Sequence, residues 1–252
     1  MQAQHVIESE PTKDSYSDSR DALDETIEHG PSFAWVKVKL RPGQRVDAEA
    51  GAMVYHSPGV EMATRLNAPR KGGLGAKVLS FFSAILRKFL GGETMFINEF
   101  SSPQGGEVTL APKMVGHIQK LTLSAGMAYY VQSGSYLASE PSVQTKMRWG
   151  GLRTLIGREG VTLFQCYGHG DLFINAYGGI EPIEVDGSYI VDTGHVVAFE
   201  HSLDFKIKGA GAGMKGLLFS GEGLVFEFTG KGTLWIQSRN VQALVGWLKP
   251  LV

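Results

Sequence analysis

The chain has 252 residues, 43% of them hydrophobic and 19% charged, with a formal net charge of −1. That composition supports a core of ordinary size, excludes extensive disorder outside local segments, and leaves no block of Lys and Arg dense enough to read as a nucleic-acid stripe. The single cysteine, Cys166, excludes an internal disulfide framework, and no Cys/His spacing of the zinc type accompanies it, so a reducing compartment is expected.

Residues 1–32 carry eight Asp or Glu against Lys13 and Arg20, with only isolated apolar residues such as Val6, Ile7, Leu23 and Ile27. Too little apolar surface is available there to offset ordering entropy, which predicts a disordered acidic tail over 1–32. Within it, Asp21 to His29 reads at most as a helical turn or two, with Ala22, Leu23 and Ile27 on one side. The start has neither the basic and apolar stretches of a signal peptide nor an Arg-rich presequence, so a cytoplasmic location is expected.

From Phe33 onward apolar and polar residues alternate with period two, and the 33 glycines, well above the usual share of about 7%, are scattered at turn positions. An all-β domain over 33–252 follows. Three blocks, roughly 33–112, 116–176 and 179–238, repeat the same spacing. Each opens with one apolar pattern: Trp35-Val-Lys-Val38-Lys-Leu40, Ile118-Gln-Lys-Leu121-Thr-Leu123 and Ile180-Glu-Pro-Ile183-Glu-Val185. A turn containing Gly43, Gly126 or Gly187 follows, then a strand ending at Glu49, Gln132 or Asp192. Met53 and Val54 next match Tyr136 and Leu137, and Val196 and Val197. The third element opens at Glu93, Glu159 and Glu222, and the last at Gly106, Gly170 and Gly232. Blocks of this size bury too little surface to stand alone, so a single continuous body is expected.

The first block is longer because of an insertion, in which residues 76–90 have helical periodicity. Phe82, Ile85, Leu86 and Phe89 share a face that Phe81 extends, while Lys77, Arg87 and Lys88 lie elsewhere. The segment is too short and too charged to span a bilayer. It is read as a helix that covers the sheet or a subunit interface, with peripheral membrane contact as the alternative. At the other end, Asn240 is placed to cap a short helix over 240–249, with Val241, Leu244, Val245 and Leu248 expected to dock and Pro250 ending it.

No constellation demands a particular chemistry, and no catalytic residue, cofactor or metal is expected. The histidines of the β domain, His56, His117, His169, His195 and His201, include no pair one residue apart of the cupin metal-site kind. His195 with Asp192 and Glu200 is the nearest approach to a polar site, although Asp192 recurs as Glu49 and Gln132, which suits a turn. Cys166 sits at strand spacing as a small buried thiol. Glu93, Glu159 and Glu222 suit equivalent strand corners. Gly72-Gly73 and Gly105-Gly106 lack the Gly-Lys-Ser/Thr of a phosphate loop.

Three signatures carry a family resemblance: Glu49-Ala-Gly51-Ala-Met53 with Ser57-Pro-Gly59-Val-Glu61, then Leu90-Gly-Gly-Glu93, then Val191-Asp-Thr-Gly194-His195 with Gly221-Glu-Gly-Leu224. Together they resemble the altered-inheritance-of-mitochondria family, whose domain is similar to the tryptophan RNA-binding attenuation protein, over about residues 33–248. The resemblance implies a short double-stranded β-helix occurring three times per chain and a homotrimeric ring of nine such units, with no enzyme activity. Binding of RNA or tryptophan does not carry over. Lys37, Lys39, Arg41 and Arg45 cluster in the first block, whereas the matching strands hold Gln119, Thr122, Glu181 and Glu184, which breaks the ring of charge that phosphates need. The function expected is therefore a non-enzymatic scaffold or protein-interaction protein with an unidentified protein partner. Its candidate contacts are Phe81, Phe82, Ile85, Leu86, Phe89, Lys37, Lys39, Arg41 and Arg45. The alternatives are a small-ligand-binding or hydrolytic module using His195 or His56, and a membrane-surface organiser using residues 76–90.

Overall fold

A computed structural model describes residues 22–66, 96–150, 162–209 and 224–249. The alternation in β2 (Trp35–Leu40) turns Val36, Val38 and Leu40 into the core and leaves Lys37 and Lys39 outside. Strands make up most of the described chain. After β1 (Asp24–Glu28) and β2 come β3 (Arg45–Glu49), β4 (Met53–His56), β5 (Glu61–Leu66), β6 (Phe96–Ser101) and β7 (Gly106–Leu110). A second group holds β8 (Ile118–Leu123), β9 (Ala128–Gln132), β10 (Tyr136–Ser139), β11 (Val143–Gly150), β12 (Thr162–Gly168) and β13 (Gly170–Asn175). A third holds β14 (Ile180–Asp192), β15 (Val196–Glu200), β16 (Leu203–Gly209) and β17 (Leu224–Gln237), followed by α1 (Val241–Leu248).

The strand pairings, all antiparallel, follow one scheme in each group. β7 lies between β2 and β4, and β6 between β3 and β5. In the same way β13 lies between β8 and β10, and β12 between β9 and β11. In the third group two long strands serve twice: one half of β17 pairs with the start of β14 and with β15, the other with the end of β14 and with β16. A β-bulge interrupts the pairing of β4, β10 and β15 at matching places, Met53/Tyr55, Tyr136/Ala138 and Val196/Ala198.

Two joints merge the groups. β10 pairs with β3, setting Ala138 opposite Ala48 and Ser139 opposite Asp47; β15 pairs with β9, setting Ala198 opposite Val131, Phe199 opposite Tyr130 and Glu200 opposite Tyr129. The cores cross these joints. The first cluster, around Val36, Val46 and Phe100, takes in Leu137, Ala138 and Phe173, and the second, around Tyr136 and Leu172, takes in Val197, Ala198 and Trp235.

Three expectations need correction. The disordered tail does not reach residue 32: β1 pairs with β2 from Asp24 opposite Lys39 to Glu28 opposite Trp35, and Leu23 is buried in the first core cluster with Ile27 packed against it. Residues four apart share a face in a strand as well as in a helix, and the open edge of β2 supplies the backbone partners that decide for the strand. Residues 1–21 lie outside the described residues, as does the 76–90 helix. Second, Gly187 does not end a strand. It sits inside β14 opposite Gly230, and both take positive φ, 110° and 117°, so the ladder bends without breaking. Third, α1 is capped as expected, with Asn240 Oδ1 accepting from the Gln242 and Ala243 backbone N–H groups, but none of its residues is buried and Val245, Trp247 and Leu248 are exposed.

The segments between groups also touch. Gly116 forms a parallel bridge with Gly178, and a Cβ on Gly116 would run into the backbone of Ala176 and Gly178. Gly116→Ala is therefore expected to lower unfolding stability by about 2 kcal/mol, the overpacking range, as read from urea denaturation midpoints.

Candidate interaction surface

The nearest approach to a polar site resolves into backbone fasteners. Asp192 Oδ1 accepts from the Gly194 N–H at 2.7 Å and from Asn240 Nδ2 at 3.3 Å, which ties the start of α1 to the end of β14. His195 Nδ1 lies 2.7 Å from the Gln237 carbonyl oxygen, to which it donates, while Gln237 Nε2 donates to Gly194 O at 2.8 Å. Glu200 sits at the opposite end of β15 and accepts from Thr233 N–H at 3.1 Å. Ser57, at the matching place in the first group, accepts from Glu107 N–H at 2.9 Å in the same manner. The structure thus brings Asp192 and His195 to one corner and leaves Glu200 at another. His195 lines an open cleft of about 510 Å³ with Tyr177, Arg239 and Trp247, residues that sequence reasoning did not join to it. Cys166 is fully buried, and burial pushes its thiol well above the usual range, away from thiolate chemistry.

The basic cluster of the first group is held by acidic side chains and a backbone carbonyl. Glu28 on β1 accepts from Trp35 Nε1 at 2.8 Å and pairs with Lys37 at 3.0 Å, and these two contacts hold its carboxyl below the ordinary range. Arg41 donates to the Ala22 carbonyl at 2.9 Å, and Arg45 lies 3.5 Å from Glu99. Lys39 stands in register between Asp24 and Glu107. β1, expected as part of a tail, supplies this counter-charge through Glu28 at Lys37 and Asp24 opposite Lys39. Phe81, Phe82, Ile85, Leu86 and Phe89, like Glu93, Glu159 and Glu222, lie outside the described residues.

Two strand edges break the common scheme. Among the described residues, the partners of β10 and β15 across the joints have no equivalent for β4, which pairs only with β7. At the other end, β3 and β9 are flanked on both sides, whereas among the described residues Ser188–Val191 of β14 pairs only with β17. Apolar side chains stand exposed on both: Met53, Val54 and Tyr55 on β4, and Tyr189 and Ile190 on β14.

The family model described as Mitochondrial biogenesis AIM24 matches residues 26–239. The chain belongs to this family. An AIM24 relative, an uncharacterized protein of Streptococcus pyogenes serotype M6, is 34% identical over 227 residues, covering 89% of each chain. A crystal structure of a Streptococcus pyogenes protein superposes with a TM-score of 0.73 at 32% identity, covering 91% of this chain and all of that one. The all-β architecture is thus shared with an experimentally solved relative, and the AIM24 match begins inside β1. Among the described residues no group of three or more His, Cys, Asp or Glu is placed to hold a metal ion, and no helix is long and apolar enough to cross a membrane.

One buried ionisable group escaped the sequence altogether. Glu140 accepts from the Leu23 N–H at 3.3 Å, clamping β1, and burial followed by the charge of Asp171 raises its pKa. Lys120 reinforces the clamp, 2.6 Å from Glu25 and 3.5 Å from Asp171. Because the native state holds the Glu140 proton more tightly than the unfolded chain, stability falls as pH rises from the ordinary carboxylate pKa through the raised one. Glu140→Gln keeps an acceptor for Leu23 and removes that dependence. Its melting temperature should fall less than the parent's between mildly acidic and mildly alkaline pH, as followed by circular dichroism.

Proposed function

We propose that the chain is a non-enzymatic, cytoplasmic scaffold that works as a closed ring of identical copies, each contributing three tandem six-strand units. The observation that carries this reading is the pair of open, apolar-bearing edges at the two ends of an otherwise repeated pairing scheme. A head-to-tail contact between such unlike edges generates a ring if the rotation closes and a filament if it does not. Three chains per ring is the number that the family resemblance implies. A homotrimer would carry three copies of the 76–90 segment. The hydrolytic alternative loses ground because Asp192, His195 and Glu200 are each engaged with backbone groups. Native mass spectrometry of the full chain at micromolar concentration should give a three-chain species, and a monomer at every concentration would contradict the assembly.

A further inference from the structure

Resting on that assembly, we propose which strands join the copies and in what register: β4 of one chain pairs antiparallel with the Ser188–Asp192 half of β14 in the next. Tyr55 then faces Val191 of the partner subunit, His56 faces the partner's Ile190, and Ser57 faces the partner's Tyr189.

The register comes from the two joints within the chain. Pairing to the neighbouring strand makes Tyr55, Ala138 and Ala198 equivalent, since they face Thr109, Phe173 and Trp235 just past the shared bulge. Pairing on the other side makes Val191 equivalent to Ala48 and Val131, which face Phe226, Asn98 and Phe164 respectively one place before each strand ends. Ala138 faces Ala48 and Ala198 faces Val131, so the third joint sets Tyr55 against Val191. Every residue on either side follows.

Burial supports the same conclusion. Val54 is 46% exposed, whereas its equivalents Leu137 and Val197 are fully buried. Ile190 is 61% exposed, whereas Asp47 at the matching place is 1% exposed. The cores agree as well. The first two clusters each receive residues from the group across their joint, Leu137 and Ala138 or Val197 and Ala198. The third cluster, around Phe199, Phe226 and Phe228, receives no such pair, and Val54 and Tyr55 of a second copy are the residues that complete the pattern. Among the described residues the other outer strands carry no such signal: β5, β11 and β16 are outermost in all three groups, and β8 and the start of β14, which lack the cover that β1 gives their equivalent β2, expose no large apolar side chain. Asn240 fastens the start of α1 to Asp192 at the end of this edge.

The test is cysteine cross-linking in the full chain with His56→Cys and Ile190→Cys combined. Directly opposed residues on antiparallel strands are about 4.5–5.5 Å apart at Cα, within disulfide reach. His56→Cys combined with Tyr189→Cys is the control, because a one-residue slip turns the side chain to the other face. Buried Cys166 adds no background. After mild oxidation the in-register pair should run as covalent multimers ending at the ring species on non-reducing gels, with at least about ten-fold less linkage in the control. A ring by native mass spectrometry with no in-register linkage overturns this pairing and leaves the assembly standing. Monomer in both measurements overturns the assembly too.

Discussion

Backbone pairing at the joints, β3 with β10 and β9 with β15, is the interaction on which the rest of the molecule depends. A six-strand group of roughly 60 residues would bury only about 60% of the surface exposed by its unfolded chain, a marginal fraction. By running one sheet through two groups, each joint satisfies two rows of edge N–H and C=O groups and brings bulky residues such as Phe173 and Trp235 into the neighbouring core. The bulges in β10 and β15 sit at these joints, where added twist turns the strand from one group's sheet into the next. β4 carries the same bulge and pairs with β7, but among the described residues it has no strand on its other side, and Val54 and Tyr55 stand exposed.

Much of the architecture was legible because period-two alternation survives wherever one face is buried. The apolar positions aligned from the sequence at Trp35, Ile118 and Ile180 open β2, β8 and β14, and the residues read as strand ends, Glu49, Gln132 and Asp192, end β3, β9 and β14. What stayed hidden was set by partners distant along the chain. Nothing local to Ala48 and Ala138 announces that they face one another. Leu23 and Ile27 fit either periodicity until the open edge of β2 is known, and placing them in a tail stripped Lys37 and Arg41 of their neighbours, so a balanced hairpin read as a basic patch. Gly187 looked like a turn because its bend is shared with Gly230 on the opposite strand.

Of the candidate polar site, the turn was legible and its partners were not. Asp192, recognised from its recurrence as a turn residue, does fasten a turn, and His195 beside it donates to a carbonyl. Glu140 gave no local sign of being a clamp because its partner Leu23 lies 117 residues away. The chain belongs to the Mitochondrial biogenesis AIM24 family, and a crystal structure of a Streptococcus pyogenes protein shares the fold over nearly the whole chain. Where the groups agree, residues serve the scaffold. Where they differ, at β4, at the end of β14 and at α1, apolar side chains stand exposed.

Amide hydrogen exchange of the assembled protein, resolved to single strands, tests this most directly. If the open edges meet, amides of Met53–His56 should exchange about as slowly as those of Tyr136–Ser139 and Val196–Glu200, which are paired on both sides. Exchange of β4 amides as fast as that of the outer strands β5 and β16 would contradict the account.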